Sequence, residues 1–154
     1  MNSRFKLRSA ELDELPDLSD LCLRSKAHWG YDSAFMAACV PVLTLTQADL
    51  DAGPLVVAHS HGSAAGLAQV TGETNAMEID LLFVDPDFMG TGCGRILFDW
   101  CARTATGLGA KKLRIEADPG AVPFYEKMGA IRVGDVPSNA IPGRRLPLLE
   151  VSLL

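Results

Sequence analysis

The stretch from Leu81 to Trp100 constrains this chain more than any other. An apolar run ends at Val84, Asp85-Pro86-Asp87-Phe88-Met89 follows, and three glycines then stand at alternate positions, Gly90, Gly92 and Gly94. Pro86 has no N–H to give a ladder, so a central strand stops before it. Beyond the glycines, Ile96, Trp100, Thr104 and Leu108 form one stripe with Leu97, Cys101 and Ala105 beside it, which is helical spacing. The order is strand, glycine loop, helix. Glycines allow close approach of backbone to a ligand, and a helix start offers unpaired N–H groups and a dipole that favours an anion. The stretch is therefore a candidate phosphate-holding loop.

Two familiar glycine loops do not match it. A nucleotide P-loop places Lys and then Ser or Thr after its last glycine, whereas Gly94 is followed by Arg95 and Ile96. A dinucleotide fingerprint requires G-x-G-x-x-G and a strand running straight into it; no third glycine is in register here, and residues 85–89 intervene.

The remaining sequence narrows the setting. A length of 154 residues predicts one domain spanning 1–154, with enough chain to bury a core. Hydrophobic residues make up 48% and charged residues 21%, which argues against wholesale disorder. A net charge of −5 argues against a nucleic-acid backbone binder. No apolar run approaches the ~20 residues that span a bilayer, and the first residues are charged without a secretory apolar region, so a cytoplasmic location is expected. Cys22, Cys39, Cys93 and Cys101 show no metal spacing and read as reduced core thiols. Cys93 differs in opening a helix, a position that lowers a thiol pKa. His59 and His61 read as structural residues of a turn.

Period and punctuation predict the element order β-α-α-β-β-β-α-β-α-β-β, a mixed sheet of about seven strands with helices on both faces. Strands are expected at 4–8, 54–58, 64–71, 77–84, 112–116, 131–136 and 148–153. Asp13 is a candidate cap for the first helix, and the second runs over 33–40. Thr46 caps a short turn, and residues 141–147 form a late loop stiffened by Pro142 and Pro147. On the third meander strand, Met77, Ile79, Leu81 and Phe83 are expected to share one face, and Glu78 and Asp80 the other.

Three motifs together resemble the GNAT superfamily of N-acetyltransferases over essentially the whole chain. They are Leu81-Leu82-Phe83-Val84-Asp85-Pro86, Met89-Gly90-Thr91-Gly92-Cys93-Gly94, and Ala121-Val122-Pro123-Phe124-Tyr125-Glu126-Lys127-Met128-Gly129. The resemblance implies acetyl-CoA as cofactor, with CoA as product. The implied cofactor residues are Leu82, Phe83, Val84, Met89, Gly90, Thr91, Gly92, Cys93, Gly94, Arg95, Asp118, Phe124 and Lys127. Two positions depart from the family pattern. Met89 stands where Gln or Arg usually opens the motif, so affinity is expected to fall, although backbone N–H groups do most of that work and Arg95 adds charge. Asp118 stands where many relatives carry Asn.

The implied reaction is transfer of the acetyl group to a primary amine by direct attack in a ternary complex. An alkylammonium of pKa about 10 must first lose a proton, and a carboxylate can take it. The family often uses a glutamate at the position of Glu78; Asp80 is the other candidate, and either could instead bind the substrate ammonium. A backbone N–H from Leu82 to Val84 would stabilise charge on the thioester oxygen. Tyr125 stands where relatives place the general acid for the departing thiolate. His28, Trp29, Tyr31, Arg144 and Arg145 fall in connections that wall the acceptor site in the family. The expected acceptor is a small-molecule or peptide amine, no nucleic acid or membrane is expected as partner, and the late strands allow a homodimer. The competing reading is an acyl-CoA-binding sensor that has lost transfer, for which Met89 speaks and against which Glu78 and Tyr125 speak.

Overall fold

A computed structural model describes residues 4–73 and 75–154. The elements are β1 (Lys6–Ser9), α1 (Leu15–Ala27), α2 (Ser33–Leu43), α3 (Gln47–Asp51), β2 (Leu55–Ser60), β3 (Ser63–Glu73), β4 (Ala76–Val84), α4 (Cys93–Gly107), β5 (Lys112–Glu116), α5 (Val122–Lys127), β6 (Ile131–Pro137) and β7 (Arg145–Ser152). Seven strands form one sheet in the order β1-β2-β3-β4-β5-β7-β6. All neighbours are antiparallel except β4 and β5, which α4 connects as a crossover. The α/β class and the element order match the expectation, except that the short turn expected after Thr46 is the helix α3.

Two apolar layers cover the sheet. On one face Leu97, Cys101 and Ala105 of α4 pack with Val56, Ala68, Val70, Leu113 and Leu149. On the other, Leu18, Leu21 and Cys22 of α1 and Cys39 and Leu43 of α2 pack with Val57, Leu67 and Leu81. The buried stripe of α4 is thus Cys93-Leu97-Cys101-Ala105 at four-residue spacing, and Leu108 is exposed. Gly66 lets α4 approach the sheet: a Cβ there would lie 2.7 Å from the Phe83 carbonyl oxygen and 2.8 Å from Leu97 Cδ1.

Several local expectations are corrected. Asp13 does not cap α1. A 3-10 turn at Leu12–Glu14 precedes the helix, and Glu14 accepts from the Glu11 N–H at 2.8 Å and pairs with Arg8 at 2.7 Å. Helix α2 is capped by Asp32, which accepts from the Phe35 N–H at 2.8 Å, and it runs on through Pro41 to Leu43. The late loop is shorter than expected, because Arg145, Leu146 and Pro147 belong to β7. Pro147 is accommodated there because its carbonyl accepts from the Ala117 N–H at 2.9 Å, a bond that asks no donor of the proline.

The correction with most consequence lies in β4. Gln69 of β3 pairs with Leu81 and Val70 pairs with Ile79, so Asp80 is an extra residue opposite neither. This bulge inverts the alternation. Met77 and Ile79 face the α4 layer, where Leu82 and Val84 also pack, while Leu81 and Phe83 face the α1–α2 layer. The four residues expected on one face are therefore divided between two.

Candidate functional site

Strands β4 and β5 are paired only over Ala76–Glu78 with Lys112–Arg114. Beyond Glu78 they part, and the β5 side of β4 from Asp80 to Val84 has no strand partner. A cleft of about 600 Å³ opens along this split, between the end of α1, the glycine loop, and the β5–α5 turn with α5. Its walls are predominantly apolar, with Leu82, Val84, Phe88, Ile115 and Phe124 among them.

At one end the chain builds a cradle for an anion. Gly90 and Gly92 have φ of +77° and +90°, a left-handed backbone that favours glycine, and a Cβ at either would meet nothing within 4 Å. No side chain caps α4. The first bond closed behind the loop runs from the Ile96 N–H to the Gly92 carbonyl at 3.1 Å, so the preceding helical N–H groups are left for a ligand. Arg95 and Lys127 line the cleft, two cations where Met89, also in the wall, supplies none. Gly94 permits α4 to lie against Phe124, since a Cβ there would be 3.1 Å from Cε1 of that ring. A pyrophosphate followed by an extended, half-apolar chain fits these residues.

The implied cofactor residues Leu82, Phe83, Val84, Met89, Gly90, Gly92, Gly94, Arg95, Asp118, Phe124 and Lys127 all line the cleft. Thr91 and Cys93 do not. The Thr91 hydroxyl donates back to the Phe88 carbonyl, and the Cys93 side chain is buried in the α4 layer. Burial pushes the Cys93 thiol up to about 11 and overrides the helix start that was expected to lower it.

Of the two carboxylates on β4, the bulge delivers Asp80 to the cleft wall, and Glu78 is absent from it. Glu116, at the end of β5, lines the cleft as well. Neither Asp80 nor Glu116 makes an ion pair or hydrogen bond among the described residues. Burial raises the Asp80 carboxyl first, and the charges of Glu78 and Asp49 add to it. Burial likewise raises Glu116, with Glu78 and Asp80 adding. Glu78 thus acts on both as a neighbouring like charge.

Tyr125 also lines the cleft from α5, with its ring against Phe124 and Phe98 at centroid distances of 5.1 and 6.3 Å. Its hydroxyl has no hydrogen-bond partner among the described residues, and burial raises its pKa well above the ordinary tyrosine value. It therefore holds its proton at neutral pH.

The expected acceptor residues separate. Trp29 lines the cleft and lies against Gly120, where a Cβ would come within 2.8 Å of its ring. His28 packs edge-on to Trp29 and does not line the cleft. Tyr31 and Arg144 stand behind the wall, joined to Asp118. Arg145 is corrected outright: it is exposed and pairs with Asp135 across the β6–β7 hairpin, because adjacent residues entering a strand point to opposite sides. Two charged wall residues were missed in the sequence. Lys26 lies in the last turn of α1, and Glu116 ends β5. The signal for Glu116 was its place on the parallel neighbour of β4, at the depth of Asp80.

The model of the acetyltransferase (GNAT) domain family matches residues 34–140, and the chain belongs to that family, whose members use acetyl-CoA. No curated protein matches the chain. Among solved structures, it is similar to a GCN5-related N-acetyltransferase from Rhodopseudomonas palustris, with TM-score 0.82, 21% identity, and 97% and 96% of the two chains covered. It is also similar to the PaiA N-acetyltransferase from Thermoplasma acidophilum in complex with coenzyme A, with TM-score 0.78, 13% identity, and 96% and 98% covered. A third similar structure is the ribosomal-protein-S18-alanine N-acetyltransferase from Escherichia coli, with TM-score 0.70, 18% identity, and 97% and 94% covered. At these identities the likeness establishes the fold. Among the described residues, no helix is long and apolar enough to cross a membrane, and no group of three or more His, Cys, Asp or Glu side chains is placed to hold a metal ion.

Proposed function

We propose that this chain is a cytoplasmic N-acetyltransferase, a single domain over residues 1–154, that moves an acetyl group from acetyl-CoA to a primary amine by direct attack in a ternary complex. The observation that carries the proposal is one cleft that joins an anion cradle, a strand edge with no partner, an unpaired carboxylate on a bulge and a protonated tyrosine. The similar N-acetyltransferase structures, one of them in complex with coenzyme A, support it.

Bound acetyl-CoA supplies an acetyl group activated as a thioester. The residues do the rest. The N–H groups after Gly92, with Arg95 and Lys127, hold the pyrophosphate. The edge of β4 at Leu82–Val84 orients the extended arm, and its free N–H groups stabilise negative charge as it develops. Asp80 takes the proton of the acceptor ammonium, directly or through a water. Its raised pKa narrows the gap to an amine of about 10 and makes it a better base than an ordinary surface carboxylate. Glu116 and Glu78 hold the surrounding potential negative, which favours a cationic acceptor, small molecule or peptide. Tyr125 keeps its proton at Oη and offers it to the departing sulfur.

This assigns the base to Asp80, with Glu78 as its electrostatic neighbour. Free-thiol release from acetyl-CoA by Asp80→Asn and Glu78→Gln tests the assignment. Asp80→Asn is expected to lose about 10²-fold or more in turnover, and Glu78→Gln less than about tenfold. The reverse order returns the role to Glu78.

A further inference from the structure

Asp118 stands at the centre of a polar cluster drawn from four separate segments. Its Oδ2 accepts from Lys26 Nζ at 2.7 Å and from the Tyr31 hydroxyl at 2.7 Å. Arg144 Nη2 lies 3.8 Å from the same oxygen and donates to the Tyr31 hydroxyl at 2.8 Å. The other oxygen, Oδ1, accepts from the Gly120 N–H at 2.9 Å and so shapes the 3-10 turn Pro119–Ala121 that leads into α5 and Tyr125. Around this core Tyr31 stacks on Phe35 at 3.8 Å, and the Arg144 guanidinium sits 4.8 Å from the Phe35 ring centroid. The side chains of Lys26, Asp118 and Arg144 are 16%, 11% and 19% exposed, so the cluster is largely screened from water.

The cluster spans the cleft. Lys26 closes α1, Tyr31 lies in the α1–α2 connection, Arg144 ends the β6–β7 loop, and Asp118 belongs to the turn beside the cofactor arm. One carboxylate serves two cations, so without its charge Lys26 and Arg144 would face each other with no counter-ion. Two residues further on, Gly120 lies directly under the Trp29 ring, a second contact between the same two walls.

We propose that Asp118 is a positioning residue: its carboxylate latches the acceptor-side wall, residues 26–35 and Arg144, onto the turn that carries the Tyr125 helix. The latch fixes the width of the acceptor half of the cleft, so an amine held by the Trp29 wall is presented to Asp80 at one distance. This goes further than the proposed function and rests on it for the meaning of the two walls. Charge is the operative property. Asn would preserve the shape of Asp118 and its cap to Gly120, whereas Glu would preserve the charge at the cost of one methylene.

Hydrogen exchange on the intact chain, with calorimetric titration of CoA, tests the latch. In Asp118→Asn, amides of residues 28–36 are expected to exchange roughly tenfold faster while those of α4 do not change. Asp118→Glu is expected to stay within about threefold of the parent in the same amides. Exchange in 28–36 that is unchanged by Asn, or faster in Glu than in Asn, overturns the latch. So does a tenfold loss of CoA affinity in Asn with exchange unchanged, which makes Asp118 a cofactor ligand. If the Asp118 variants do not fold, Lys26→Met and Tyr31→Phe must each speed exchange in 28–36, and unchanged exchange overturns the proposal. A parent chain that fails to bind CoA overturns the acetyl-transfer reading, while the exchange comparison still decides the latch.

Discussion

Asp80 and Glu78 are two residues apart and chemically almost the same, yet the fold gives them different work. The bulge places Asp80 in the cleft wall with no counter-ion, and Glu78 remains outside it, bearing on Asp80 through charge alone. Removing that charge should make Asp80 a stronger acid. Titration of the Asp80 carboxyl carbon by NMR is expected to give a pKa above the ordinary aspartate value of about 3.9, and a lower one in Glu78→Gln. At the other reacting position, Tyr125→Phe removes only the hydroxyl. It is expected to lower turnover by about 10²-fold while leaving CoA affinity within about twofold, because the ring keeps its packing against Phe98 and Phe124. Steady-state turnover beside calorimetric titration checks both halves of that expectation.

At the scale of elements, the sequence carried the glycine loop, α4, the parallel crossover and the tyrosine helix, because each has a local cause. Pro86 stops β4, Gly90 and Gly92 form a left-handed loop, and Pro119 opens the 3-10 turn that leads into α5, with Gly129 beyond its end. The bulge was not legible. Met77, Ile79, Leu81 and Phe83 alternate without interruption, and Leu82 and Val84 are apolar too, so either register buries apolar side chains on both faces. Only the pairing with β3 decides between the registers, and that contact is non-local. Arg144 and Arg145 were read as a pair for the same reason: adjacency in sequence says nothing about which one a strand turns outward. The tight approach of α4 to the sheet gives a stability prediction. Gly66→Ala forces a Cβ against the Phe83 carbonyl and Leu97, and is expected to cost about 1–3 kcal/mol in denaturant unfolding.

Over the whole molecule, carboxylates of two kinds pull stability in opposite directions with pH. Burial raises Asp85 and Asp118, but Arg24 outweighs this for Asp85, as do Lys26 and Tyr31 for Asp118, so both lie below the ordinary range. Glu14 is held low chiefly by its bond from Arg8. A depressed carboxyl adds stability that is present above its unfolded pKa, near 4, and lost as pH falls through its lower folded value. Asp80 and Glu116 have raised values, so their cost is absent below about pH 4 and sets in as pH rises through the folded value. Asp80→Asn is therefore expected to raise the melting temperature at neutral pH, an advantage that shrinks toward pH about 4, while it removes activity. Thermal melts of parent and variant at the two pH values check the sign.

The decisive property is whether the cleft transfers what it holds. Free thiol released from acetyl-CoA, measured across a panel of primary amines together with the mass of the amine product, tests this most directly. The expected result is thiol release that depends on an amine, with one acetyl group appearing on amine nitrogen for each thiol freed. Binding of CoA with no amine-dependent release across the panel would contradict it and leave the chain an acyl-CoA-binding sensor.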